Sequence, residues 1–108
     1  MRPCIVIPVY NHGAGIGPVL EGLRPHDLPI ILVDDGSDNH CAERLRQLVA
    51  ADPEQLTLVR RAHNGGKGAA VITGLREAAR RGFTHALQVD ADGQHEPAHR
   101  PACRPLDP

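Results

Sequence analysis

The segment Gln88–His99, QVDADGQHEPAH, holds carboxylates, imidazoles and amides at three spacings that each spell a metal site. Asp90 to Gly93 looks like part of a calcium loop, His95 to His99 satisfies the H-E-x-x-H zinc pattern, and Asp90-Ala91-Asp92 by itself is a clamp for a hard cation. A calcium loop needs acidic ligands at its first position and a glutamate at its last. Aligned on Gly93, those positions fall on Gln88 and His99, so both outer ligands fail. The zinc pattern needs its two imidazoles one turn apart on a regular helix. Pro97 stands between them and breaks such a helix. The clamp survives. Alternate residues leaving a strand point to one side, so Asp90 and Asp92 can address one ion, and Gln94, next in the series, can add an amide oxygen. Mg²⁺ or Mn²⁺ accepts all-oxygen ligands and keeps positions open for phosphate. Bound there, it would assist a departing diphosphate as a Lewis acid. On these residues alone, Asp90 could instead cap the next element, with Asp92 in solvent.

A clamp of this kind requires a strand ending at Asp90, and HALQVD provides one. Three earlier segments have the same character: CIVIPV, LPIILVDD and QLTLVRR are short, largely apolar and rich in β-branched residues. Helical spacing fills the gaps between them. PVLEGL follows the first run with Pro18 in a first turn. CAERLRQLVAA sets Leu45, Leu48 and Val49 on one side and has Asp38 or Asn39 as a cap. AAVITGLREAARRG runs a stripe through Ala70, Val71, Gly74, Leu75, Ala78 and Ala79 to a terminator at Gly82. The order β-α-β-α-β-α-β predicts an α/β fold with a parallel sheet and helices on both faces.

Open sheets of this kind bind ligands beyond the carboxyl ends of their strands, near the reversal of strand order. Those ends here carry Pro8, Tyr10, Asn11 and His12; Asp34 to Ser37; Asn64 to Gly68; and Asp90 with Asp92. Four polar sets from distant segments predict one polar-ligand site. NGGKGA is not a P-loop, since Gly68 stands where Ser or Thr is required. GAGIG (Gly13 to Gly17) is a poor dinucleotide fingerprint.

The chain of 108 residues is one domain at most, 41% hydrophobic and 23% charged. A net charge of -1 with dispersed Lys and Arg argues against nucleic acid as a partner. The two aromatic residues, Tyr10 and Phe83, are too few for base-stacking platforms. Cys4, Cys41 and Cys103 are odd in number and form no C-x-x-C, which fits reduced thiols and a cytoplasmic location. No run approaches the roughly 20 apolar residues of a membrane span, so no transmembrane segment is expected. Pro97, Pro101, Pro105 and Pro108 predict an irregular tail over residues 97–108. A sheet of four strands ending this way reads as the first half of a larger fold.

IPVYN, LVDDGSD, NGGKGAAVITGL and VDADGQH occur in this order over residues 4 to 96. The ordered set resembles family 2 glycosyltransferases of the GT-A fold, and within them the dolichyl- and polyprenyl-phosphate sugar transferases. The resemblance implies a Rossmann-like nucleotide-sugar-binding domain over residues 1–96, serving a UDP- or GDP-sugar donor and a lipid-phosphate or saccharide acceptor. By the same resemblance Pro8 and Tyr10 lie against base and ribose, Val33 walls the base pocket and Asp35 accepts a hydrogen bond from the base. Lys67 borders the diphosphate, Ala91 passes the ribose, and Asp90, Asp92 and Gln94 hold Mg²⁺ or Mn²⁺. His12 is assigned to the same nucleotide site, although it departs from the acid that often follows this Asn. The family's general base lies in an acceptor half beyond the D-x-D strand, so no catalytic residue is assigned. A non-catalytic nucleotide-binding fragment is the alternative. A lipid acceptor would bring the protein to the inner face of a membrane.

Overall fold

The computed structural model describes residues 2–11, 13–91 and 102–105. Strand β1 (Pro3–Val9) leads to helix α1 (Gly13–Leu23) and a single 3₁₀ turn at Arg24–His26. Then come β2 (Ile30–Asp35), α2 (Asn39–Ala51), β3 (Leu56–Arg61), α3 (Lys67–Arg80), β4 (His85–Gln88) and β5 (Ala102–Pro105). The sheet order is β3-β2-β1-β4-β5. The first four strands are parallel, as expected, and β5 pairs antiparallel with β4.

Side chains on a strand alternate between faces, and the core divides accordingly. Ile5, Ile7 and Val9 of β1 join Ile30 and Leu32 of β2 beneath α1 and α2, where Ile16, Val19, Leu20 and Leu45 meet them. Cys4, Val6, Ile31 and Val33 form the other row and meet Ala70 and Ala78 of α3. Every residue of β2 is buried, which is why it reads as an unbroken apolar run ending in acids. Each fully buried Ile, Leu or Val contributes about 1.5–3 kcal/mol. Gly74 sets how closely α3 approaches: a Cβ there would fall inside contact distance of Val6 Cγ1 and 2.9 Å from Val33 Cγ2.

Local signals hold at several helix ends. The Asp38 carboxylate accepts a hydrogen bond from Cys41 N at 2.9 Å and caps α2, and Gly82 turns the chain after α3 with φ 87°.

Two expectations are corrected. Pro18 does not open its helix, because α1 begins at Gly13. The apolar stripe of α1 starts at Ile16, which is fully buried, so packing carries the helix through an exposed Pro18. Residues 97–108 are not irregular throughout, because Ala102–Pro105 add β5 beside β4. Proline lacks a donor but is tolerated on an edge strand or at a strand end, and Pro105 is the last residue of β5.

Candidate functional site

The chain lays down β1, β2 and β3 in one direction and then returns past β1 to place β4 on its other side. The reversal lies between β1 and β4, and the carboxyl ends of these strands face a cleft of about 260 Å³. Pro8, Val9 and Tyr10 form one wall, Asp90 and Ala91 the other, and Asp35, Asn64, Gly66, Lys67 and Ala70 close it from the α3 side. A larger hollow of about 410 Å³ lies between α1 and α2 at the amino ends of β2 and β3. It gathers none of the residues expected to bind ligand, and parallel sheets do not place their sites at that end.

Strand parity explains how the wall is built. Asp35 continues the row of Ile31 and Val33 and so points toward α3. Its carboxylate accepts hydrogen bonds from Gly65 N (3.1 and 3.2 Å) and Gly66 N (2.9 Å). Arg61 Nε lies 2.8 Å from Asp35 Oδ1, an ion pair in which the N–H is not aimed at the oxygen. The same guanidinium donates through Nη1 to Thr73 Oγ1 at 2.5 Å and Ala69 O at 3.3 Å. Asp35 and Arg61 therefore tie the turn before α3 to the sheet and to the first turns of α3. Gly36 lets two loops touch: at φ 77°, a Cβ there would meet Asn64 N at 2.7 Å.

Asp34 takes the opposite parity and is fully buried. Its Oδ1 accepts from Ser37 N at 2.8 Å, while Oδ2 has no hydrogen-bond partner among the described residues and Arg60 Nε is 3.8 Å away. Ser37 Oγ in turn accepts from Asn11 N at 2.9 Å, and Asn11 Oδ1 accepts from Asp38 N at 2.9 Å. These two bonds hold Asn11 in a left-handed conformation, φ 55°, which costs on the order of 1 kcal/mol or more. They fasten the loop that presents Tyr10, 43% exposed, at the cleft.

Lys67 opens α3, and its Nζ lies 2.5 Å from Asp90 Oδ1 across the cleft. Asp90 thus already holds positive charge in the position expected for a cation, and its carboxylate is the kind of hard oxygen donor that Mg²⁺ or Mn²⁺ takes. Among the described residues no group of three or more His, Cys, Asp or Glu side chains converges. Asp92 and Gln94, the other expected ligands, lie outside the described residues, as does His12.

Of the residues expected at a nucleotide site, Pro8, Tyr10, Asp35, Lys67, Asp90 and Ala91 come together. Val33 does not line the cleft: it is fully buried beneath α3. Its parity is that of Asp35 and it stands opposite Pro8 in the register, but its side chain is fully covered by α3. Val9 and Ala70 line the cleft without having been singled out, as ordinary core residues do. Arg61 was missed as well. Its signal is the register that sets it opposite Asp35, and register is a property of strand pairing.

A family model described as "Glycosyl transferase family 2" matches residues 4–103. A polyprenol monophosphomannose synthase of Mycolicibacterium smegmatis is 34% identical over 99 residues, covering 89% of this chain and 37% of that protein. A UDP-N-acetylglucosamine–dolichyl-phosphate N-acetylglucosaminyltransferase of Methanococcus voltae is 32% identical, covering 86% of this chain and 42% of that protein. Among solved structures, a mannosyltransferase of Pyrobaculum calidifontis in complex with GDP-Man and Mn²⁺ superposes with a TM-score of 0.72 at 27% identity. That match covers 84% of this chain and 27% of the other. The chain spans less than half the length of these relatives.

Proposed function

The chain belongs to glycosyl transferase family 2, and from that membership we propose that it forms the donor-binding part of a metal-dependent glycosyltransferase. The donor is a UDP- or GDP-sugar and the acceptor a lipid phosphate or a saccharide. One observation carries this reading: a single cleft at the strand-order reversal gathers Pro8, Tyr10, Asp35, Lys67 and Asp90 from four separate segments. One relative named for a polyprenol monophosphomannose product, another named for a UDP-N-acetylglucosamine donor and a dolichyl-phosphate acceptor, and a structural neighbour holding GDP-Man and Mn²⁺ support the substrate class.

Each residue has a physical task in this reading. Tyr10 and Pro8 offer a flat, half-apolar wall for a base and its ribose. Asp35 shapes the Gly65–Gly66 turn and offers its remaining acceptor capacity to a base N–H. His12 and Ala91 flank the same nucleotide, and Val33 supports the wall from below. Lys67, at the head of α3, meets diphosphate oxygens with a mobile ammonium. Asp90, Asp92 and Gln94 would hold Mg²⁺ or Mn²⁺, which when bound supplies Lewis-acid neutralisation of the departing diphosphate. No described helix is long and apolar enough to cross a membrane, and a lipid acceptor would place the protein at the cytoplasmic face of one.

Isothermal titration of UDP and GDP, with and without MnCl₂, tests this. One of the two nucleotides is expected to bind more tightly with Mn²⁺, and Asp90→Ala with Asp92→Ala to erase that dependence. Retention of the Mn²⁺ effect in the double variant would reject the assigned clamp.

A further inference from the structure

The cleft holds two described carboxylates, Asp35 and Asp90, each already facing a cation of its own. The two cations differ in kind. Arg61 is largely buried and forked onto Ala69 O and Thr73 Oγ1 as well as Asp35, so its charge is built in. Lys67 is 56% exposed on its side chain, and among the described residues its ammonium meets Asp90 alone. Its backbone follows directly on the turn that Asp35 grips, while its flexible four-carbon stem stands largely in solvent. An ammonium is a compact, hydrated point charge without a planar fork and gives up a partner readily.

We propose that Lys67 is an exchangeable counter-ion for Asp90. It keeps the carboxylate neutralised until an anionic ligand draws the ammonium off, and thereby couples cation binding to nucleotide binding. The inference rests on the reading of Asp90 as a cation ligand and adds to it an order of events. A free divalent ion meets a carboxylate that is already paired and an adjacent positive charge that repels it. A nucleoside diphosphate offers Lys67 more acceptor oxygens and more negative charge than Asp90 does, and so draws the ammonium off that carboxylate. By linkage, whatever factor the nucleotide adds to cation affinity the cation returns to nucleotide affinity. Lys67 thus disfavours idle metal loading and favours joint loading.

The test is Mn²⁺ binding, followed by the electron paramagnetic resonance of free Mn²⁺, in the 108-residue chain and in Lys67→Met, Lys67→Arg and Asp90→Asn. Without nucleotide, Lys67→Met is expected to bind Mn²⁺ about fivefold more tightly, the upper range for releasing an exposed ion pair. Lys67→Arg, which keeps the charge, is expected to stay near the parent. Addition of GDP or UDP should raise Mn²⁺ affinity by a larger factor in the parent than in Lys67→Met. Equal factors, or no gain in Lys67→Met while Asp90→Asn abolishes Mn²⁺ binding, overturn the counter-ion role and leave the donor site standing. If Asp90→Asn binds Mn²⁺ like the parent, the cation-ligand reading falls and this inference with it. A thermal melt of each variant confirms that the fold is intact.

Discussion

Arg61 is the counter-charge that buried Asp35 meets among the described residues, and it anchors the first turns of α3 through Thr73 and Ala69. Removing one partner of a buried pair leaves the other charge uncompensated, which is far costlier than losing an exposed pair. Arg61→Met is therefore expected to lower stability by about 3 kcal/mol in urea unfolding. Arg61→Lys should recover only part of this, because one ammonium cannot replace a fork that reaches three groups. A loss under about 0.5 kcal/mol, the range of an ordinary surface substitution, would show that the pair is not holding the turn. In the sequence Arg61 is one of two adjacent arginines at the end of QLTLVRR, and nothing local separates them. Pairing does: Arg61 lies opposite Asp35 and Arg60 opposite Asp34. Asp35 and Asp90 were legible because acids after an apolar run stand out. Arg61 was not, since its value comes from a partner 26 positions away in a neighbouring strand.

At the level of the element, α3 tests two opposed effects of glycine. Alanine exceeds glycine in helix propensity by about 1 kcal/mol. At Gly74 the new Cβ would strike Val6 and Val33, two stiff β-branched side chains rooted in the sheet. Overpacking costs about 1–3 kcal/mol, so Gly74→Ala is expected to be destabilising by about 1 kcal/mol net. At Gly68 a Cβ meets nothing within 4 Å, so Gly68→Ala should stabilise by up to about 1 kcal/mol. Paired thermal melts check both, and the same sign for the two variants would refute the packing account. The buried stripe of α3 (Ala70, Val71, Gly74, Ala78) follows the period in the sequence, because that period is a local record of which side faces the sheet. The start of α1 did not follow local rules, since the burial of Ile16 outweighs Pro18.

For the molecule as a whole, Cys4 reports on integrity. It is fully buried under α3, and burial pushes its thiol up from 9.0 to about 11. The folded state thus keeps a neutral thiol at a pH where the unfolded chain has ionised. The stability linked to Cys4 is complete below pH about 9 and declines as the pH rises toward 11, by about 2 kcal/mol at the upper end. The difference in unfolding free energy between the parent and Cys4→Ala is expected to shrink by that amount between pH 8 and pH about 11. A difference that stays constant with pH would mean that the thiol is not desolvated.

The sequence alone determined that this is an α/β chain with four apolar strands, helices between them and polar groups at the strand ends. Periodicity, β-branching and turn residues are properties of neighbours along the chain. Only the tertiary structure decided that β4 returns to the far side of β1, that β5 lines its outer edge, and that Lys67 faces Asp90 while Asp35 grips the Gly65–Gly66 turn. Those pairings depend on strand order and register, which are set when distant apolar faces pack together.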